Sequence, residues 1–295
     1  MRQADQVVPS FLPSFLPSFL PSFLPSFLPI VRLLLLFLVM ITVAASTAQA
    51  NLREGLVGWW KMEEGTGVNL VDSSGYGNTG TPVSGPTSTS GCARGKCLGF
   101  NGTTQYVSIV NESNFDFERT QAFSVCAWVK PTSIALGQQN IVSKLDNSSP
   151  FSGWEVSLRN SSAGNSSSVL LYLINDFIAQ VNSLGVYTDV NTIVANSWQH
   201  VCVTYSGTSL ASGVNIYIQG VSKNKNVFAD TLSASSLNNK NVYIGIRDGT
   251  AWPFGGDIDD VRIYNRALTA DEVRDLYISG VKIKGAVMRG VRINN

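Results

Sequence analysis

One histidine, His200, stands in 295 residues. That scarcity excludes multi-histidine metal sites and makes any Ser-His-Asp or Cys-His catalysis depend on a single imidazole. Charge is sparse too: 14% of residues are charged, 21 basic against 20 acidic. This excludes nucleic-acid binding by bulk positive charge and a disordered polyelectrolyte. Cysteine is limited to Cys92, Cys97, Cys126 and Cys202. The longest apolar run, Leu33 to Ala45 broken only by Thr42, has 13 residues, short of the roughly 20 that a bilayer-spanning helix needs.

The N-terminus reads as a leader. Pro9 to Leu28 repeats PSFL five times, and a proline in every fourth position stops a helix from propagating, so residues 1–30 are low-complexity and not expected in the mature protein. Residues 31–50 read as a secretory signal: Arg32 supplies the charge, the Leu-rich run the core, and Ala48-Gln49-Ala50 the small-residue cleavage site. Because that signal is complete from Val31, translation is expected to start at or near it, and a precursor beginning at Met1 would exclude the idea. Residues 1–50 hold two of the basic and one of the acidic residues, so 19 of each remain. Four cysteines in an exported chain read as disulfides with three connectivities open. Sequons at Asn101, Asn111, Asn147, Asn160 and Asn165 mark polar loops.

From Gly55 to Tyr264, short β-branched and aromatic runs alternate with Gly, Asn, Ser and Pro, the pattern of an all-β sandwich. Strands are predicted at Leu56–Met62, Tyr106–Val110, Phe123–Val129, Ile141–Leu145, Trp154–Leu158, Val169–Ile174, Trp198–Tyr205, Val214–Ile218, Val242–Ile246 and Asp257–Tyr264. Val125, Ala127 and Val129 share one face of their strand, as do Val201, Val203 and Tyr205, so these should face the core. Cys126 and Cys202 fall on the opposite faces of the same strands, where antiparallel neighbours would bring them within bonding distance; that pairing leaves Cys92 with Cys97. Thr269-Ala-Asp-Glu272 is a capping box, followed by a stripe of Val273, Leu276 and Tyr277 that ends at Gly280, so a short helix closes a domain spanning 51–280. Residues 281–295, with Lys282, Lys284, Arg289 and Arg292 and no acid, read as a basic tail or an added edge strand.

Leu56-Val-Gly-Trp-Trp60 with Asp72-Ser-Ser-Gly-Tyr-Gly-Asn78, Leu98 to Val107, Phe123 to Pro131, Asn196 to Tyr205 and Gly256 to Leu268 form an ordered set of blocks. The set resembles laminin-G-like modules of the concanavalin A-like lectin/glucanase superfamily. The resemblance implies a two-sheet antiparallel jelly-roll sandwich, often with calcium, that recognises glycans or proteins. It also implies, through similarity to pentraxins, a bridge between the strands holding Cys126 and Cys202. Fold analogy does not fix function.

Three expectations about sites follow. Asp72, Asn78, Asp259 and Asp260 supply oxygens for one calcium, a clasp between the first loop and the last strand; the alternative is that they form Asx turns and accept backbone amides. Asp259 shares alternation with Val261 and Ile263, so it should be buried and need a partner. Sugar rings stack on aromatic faces. Trp59 or Trp60, Trp128 and Trp198 fall in blocks where packing is expected, which leaves Trp252 first, then Tyr172, Phe177 and Tyr187, as candidate glycan contacts; Trp154 also lies outside those blocks. The Glu-x-Asp-x-x-Glu strand of the superfamily's retaining glucanases, with carboxyls about 5–5.5 Å apart, has no counterpart here: Asp257-Ile-Asp259-Asp260 lacks both glutamates and Asp116-Phe-Glu118 lacks a third member. The expected function is a secreted, non-catalytic binding module for glycans or glycoproteins, with a matrix or surface adhesion protein as the alternative and a glycoside hydrolase as a remote third.

Overall fold

The structure, a computed structural model, describes residues 52–135, 137–160, 167–178 and 181–280. The PSFL tract, the signal sequence, the basic tail and Asn165 lie outside the described residues. Among the described residues, sixteen strands form two antiparallel eight-stranded sheets, and one helix follows the last strand. In chain order the strands are β1 (Leu56–Trp60), β2 (Gly80–Val83), β3 (Thr87–Thr89), β4 (Cys97–Asn101), β5 (Tyr106–Ile109), β6 (Phe123–Pro131), β7 (Gln139–Leu145), β8 (Gly153–Asn160), β9 (Ser167–Asp176), β10 (Asn182–Thr188), β11 (Gln199–Tyr205), β12 (Val214–Ile218), β13 (Val221–Ser222), β14 (Lys225–Asp230), β15 (Val242–Ile244) and β16 (Gly255–Tyr264); the helix α1 is Ala270–Gly280. The first sheet runs β13-β12-β11-β6-β16-β4-β3 with β1 also on β16, and the second runs β14-β10-β9-β8-β7-β15-β5-β2.

Alternation places the core where the sequence puts it. Val125, Ala127 and Val129 of β6 and Val201, Val203 and Tyr205 of β11 join Val156, Leu158, Val169, Leu171 and Leu173 of the second sheet in one buried cluster. On the other face of β6 and β11, Cys126 stands opposite Cys202 in the ladder, and the two are bonded; Cys92 is bonded to Cys97. That outer face is not open to water. Leu268, Val273 and Leu276 lie over Cys126, Cys202, Tyr217 and Tyr264, forming a second apolar layer. The capping box predicted for α1 forms as read, with the Thr269 amide donating to Glu272 at 2.8 Å and the Glu272 amide to the Thr269 hydroxyl at 3.3 Å.

Two expectations need correction. Trp154 is 1% exposed in the main core, its indole donating to the Phe115 carbonyl at 3.0 Å, so it is not a spare aromatic. Asp259 is buried, but not on the side of Val261 and Ile263. Trp128 and Cys126, two residues apart on β6, face Asp259 and Arg262, three apart on β16. The extra residue is Asp260, a bulge with φ of 48°, and it reverses the alternation so that Asp259 points away from the core. The bulge sits where β16 changes partners, from β4 beside Gly255–Ile258 to β1 beside Val261–Tyr264.

Candidate functional site

At the bulge, a tryptophan joins the first loop to the last strand. The Trp59 backbone amide donates to Asp72 Oδ1 at 2.9 Å and its indole Nε1 to Asp260 Oδ1 at 2.6 Å. Its ring lies under Arg262 at 4.3 Å and Lys61 at 4.4 Å. Asp72 also accepts the Ser74 and Asn78 amides, an Asx arrangement, while Asn78 donates to the Val57 carbonyl and accepts from Asn111 and Asn114. The Cys92–Cys97 loop delivers Arg94, whose amide donates to Asp259 Oδ2 at 2.7 Å and whose guanidinium lies 3.2 Å from Asp260. Burial drives the Asp260 carboxyl up, but Arg262, Arg94 and the Trp59 indole outweigh it and hold it below the usual range. Asp259 has no such cations bonded to its carboxylate; burial, opposed by the Arg94 amide, and then Asp260 and Glu63 push it up to about 7.

Asp72, Asn78, Asp259 and Asp260 therefore occupy two hydrogen-bonded knots with Trp59 between them; Asp72, Asn78 and Asp260 accept from neighbouring donors, while Asp259 accepts the Arg94 amide at Oδ2 and its Oδ1 is buried without a partner. They do not fit one shared cation. Among the described residues no group of three or more His, Cys, Asp or Glu side chains is arranged to hold a metal ion. A cage of oxygens formed by Glu112, Asp116 and the Asn238 carbonyl is filled by the Lys144 ammonium at 2.6–2.7 Å from each. His200, which packs against Trp128 and Tyr277, is pushed down to about 3 by burial and stays neutral beside the bonded Cys202.

The other outer face, on the second sheet, is built differently. Side chains that point outward stand in register across neighbouring strands: Glu155, Ser157 and Arg159 of β8 lie opposite Tyr172, Leu170 and Ser168 of β9, and Tyr172 and Leu170 lie opposite Gly185 and Tyr187 of β10. Gly185 is required there, because a Cβ would stand 2.0 Å from the Phe228 ring. Phe228 is the unpaired residue of a bulge in β14, which turns its ring over Gly185. The ring meets Tyr172 edge-on at 4.9 Å and Tyr187 at 5.9 Å, and Phe177 extends the cluster from Tyr172 at 5.6 Å. All four rings are half-buried, with Leu170 buried among the same strands.

Beside the rings is a polar centre. Glu155 is 0% exposed and accepts two bonds from Arg247, Nε at 2.8 Å and Nη2 at 2.6 Å, and a further one from the Gln138 amide, which also reaches Ser157 at 3.1 Å. A carboxylate taken fully out of water persists only when paired in this way. Arg159 lies over Tyr187 at 4.4 Å and Phe228 at 5.6 Å. Burial, and then the Glu155 charge, push the Tyr172 phenol up to about 12, so it remains a neutral donor and acceptor. Tyr243, paired with Tyr106 at 5.8 Å, continues the same row beyond Ser143.

Three of the four candidate contacts, Tyr172, Phe177 and Tyr187, thus come together. Trp252 is exposed, at 44%, but belongs to the hairpin closed by Arg247 and Ala251, where its carbonyl accepts the Asn140 amide and its ring adjoins Gly137. It flanks the Arg247 and Gln138 end of the face. A surface of half-buried rings with hydroxyls, an amide and guanidinium donors can stack on the apolar side of a sugar ring and bond its hydroxyls.

Residues 101–274 match the laminin G model of the concanavalin A-like lectin/glucanases superfamily. The chain belongs to this superfamily. No curated protein sequence matches it. Among solved structures, it is similar to the binding domain of Paraclostridial Mosquitocidal Protein 1, with TM-score 0.56 and 18% identity over 77% of this chain and 52% of that one. It is also similar to the binding domain of botulinum neurotoxin serotype G, with TM-score 0.57 and 22% identity over 76% and 50%. A third is domain 4 of AbnA, a GH43 extracellular arabinanase from Geobacillus stearothermophilus, in complex with arabinotriose, with TM-score 0.50 and 22% identity over 75% and 98%. The chain spans about half the length of the toxin binding domains. At these identities the likeness shows the superfamily's fold.

Four residues of this face escaped sequence reasoning: Glu155, Arg159, Phe228 and Arg247. Glu155 and Arg159 lie on a strand that was predicted, and outward alternation from Val156 and Leu158 was the available signal. Phe228 lies on β14, which was not predicted, and its outward turn depends on a bulge that the sequence does not mark.

Proposed function

We propose that the chain is an extracellular, non-catalytic binding module that holds a glycan, free or on a glycoprotein, against the outer face of the second sheet. The observation that carries this reading is the convergence of Tyr172, Phe177, Tyr187 and Phe228 on one face beside the Glu155–Arg247 pair. Two disulfides fit an oxidising compartment, and among the described residues no helix is long and apolar enough to cross a membrane. The similar structures are themselves binding domains, one of them in complex with an arabinose oligosaccharide. Hydrolysis is disfavoured because Glu155 is committed to Arg247 and Gln138 and no second carboxylate shares its row.

Calcium does not enter this reading, since the residues expected to hold it are bonded to one another and to backbone amides. An open face with a few stacking rings gives weak affinity per site, so strong retention would come from multivalent display. The test is retention on immobilised polysaccharides: Tyr172→Ala and Tyr187→Ala should each weaken it by about tenfold or less, the value of one aromatic contact. Full retention by both variants would refute the face.

A further inference from the structure

Resting on that reading, we infer that the glycan this face selects is acidic, carrying a carboxylate or sulfate group that Arg159 receives. The argument starts from charge. Two guanidinium groups, Arg159 and Arg247, and one carboxylate, Glu155, surround the Tyr172 phenol. Arg247 is spent on Glu155 through two bonds. Arg159 is not spent on anything anionic: among the described residues its contacts are the rings of Tyr187 and Phe228. The face therefore carries one uncompensated cation at the aromatic cluster.

The position of that cation matters as much as its charge. Arg159 is half-buried on the same outward row set as Tyr172 and Tyr187. Contact with two rings holds the guanidinium beside them, and among the described residues its N–H donors meet no anion, so they are left for a ligand. A planar fork fixed beside stacking rings is complementary to a sugar that presents an apolar face together with an anionic group, because the fork can bond two oxygens at once. A neutral sugar would leave the guanidinium partly desolvated with weaker partners, which disfavours it. A carboxylated and a sulfated sugar share the chemistry the site recognises.

The test measures retention of the full chain on polygalacturonate, dextran sulfate and neutral arabinan, at low salt and at 0.5 M salt. Expected are retention on one or both acidic polymers, weaker retention on arabinan, and loss at high salt. Arg159→Gln should cost about tenfold or more on the acidic polymers and clearly less on arabinan, where it removes a hydroxyl donor but no ion pair. Arg159→Lys should recover part of the loss, since it keeps the charge without the fork. The two acidic polymers separate a carboxylate preference from a sulfate preference. The salt series on the unaltered chain keeps the test independent of how any variant folds. Arabinan retained as well as the acidic polymers, with no salt effect and no effect of Arg159→Gln, would overturn the inference while leaving the face a glycan site. No retention on any polymer would contradict the glycan reading and this inference with it.

Discussion

The two outer faces of the sandwich have opposite treatments of the same problem. On the first sheet, polar and charged groups are buried and tied to each other: Trp59 joins Asp72 to Asp260, Arg94 reaches Asp259 and Asp260, and α1 covers the Cys126–Cys202 bond. On the second sheet, rings and a guanidinium stay half-buried, and Glu155 is locked away beside Ser157 and Leu170. The first face is organised for stability and the second for contact. The lesson is that a cluster of acids is not a better sign of a ligand than a row of rings, because what decides is which donors are left over.

If that contrast holds, changes to the first face should move the melt and not the binding, and changes to the second should do the reverse. The largest expected effect is from replacing both Cys126 and Cys202 with alanine. Opening a loop of 76 residues should cost about 4 kcal/mol by the entropic account, read as a lower denaturant midpoint. Trp59→Phe should come next. It removes the indole donor from a buried, charged Asp260 and should cost about 1–3 kcal/mol, while the Asp72 bond to the Trp59 amide persists. Glycan retention by the folded fraction should not change in either variant.

A pH series sharpens the same point. Asp259 binds its proton more tightly in the folded protein, near pH 7, than in the unfolded chain, near the ordinary carboxylate value. The folded state therefore holds more protons between about pH 4 and pH 7, so this residue's contribution falls as pH rises through that window. Asp259→Asn should flatten the slope, raising the melting temperature at pH 8 by about 5 °C and leaving it unchanged near pH 4. His200 acts at the acid end with the opposite sign: its depressed value costs stability as pH falls below about 6.5. The smallest effects should come from Trp252→Ala, which at 44% exposure should alter retention by a few-fold at most, and from a chelator, which should leave the melt where it was. A chelator-dependent melt would contradict this and return a cation to the account of the clasp.

Much of the first face was legible because covalent and alternating patterns are local. Cys126 and Cys202 declare their partners through strand alternation, and Thr269 with Glu272 declares the start of α1. The calcium expectation could not be resolved from sequence for a physical reason: the same Asp and Asn side chains serve a cation or backbone amides, and the choice depends on where Trp59 and Arg94 arrive from distant parts of the chain. The second face was half legible. Tyr172, Phe177 and Tyr187 stood out as aromatics outside the packing blocks, but β10 is interrupted by Gly185 and β14 by the bulge at Phe228, so the register that gathers them was hidden. Trp154 misled because its flanks resemble a strand edge, while its face of β8 points inward with Val156 and Leu158 into the main core.

The central claim is that binding belongs to the second face and stability to the first. The most direct test is a paired measurement of melting temperature and polysaccharide retention for Tyr187→Ala and Trp59→Phe. Tyr187→Ala should melt within a few degrees of the unaltered protein and lose retention, whereas Trp59→Phe should melt lower and keep it. Retention lost with Trp59→Phe and kept with Tyr187→Ala would contradict the account and move the site to the clasp.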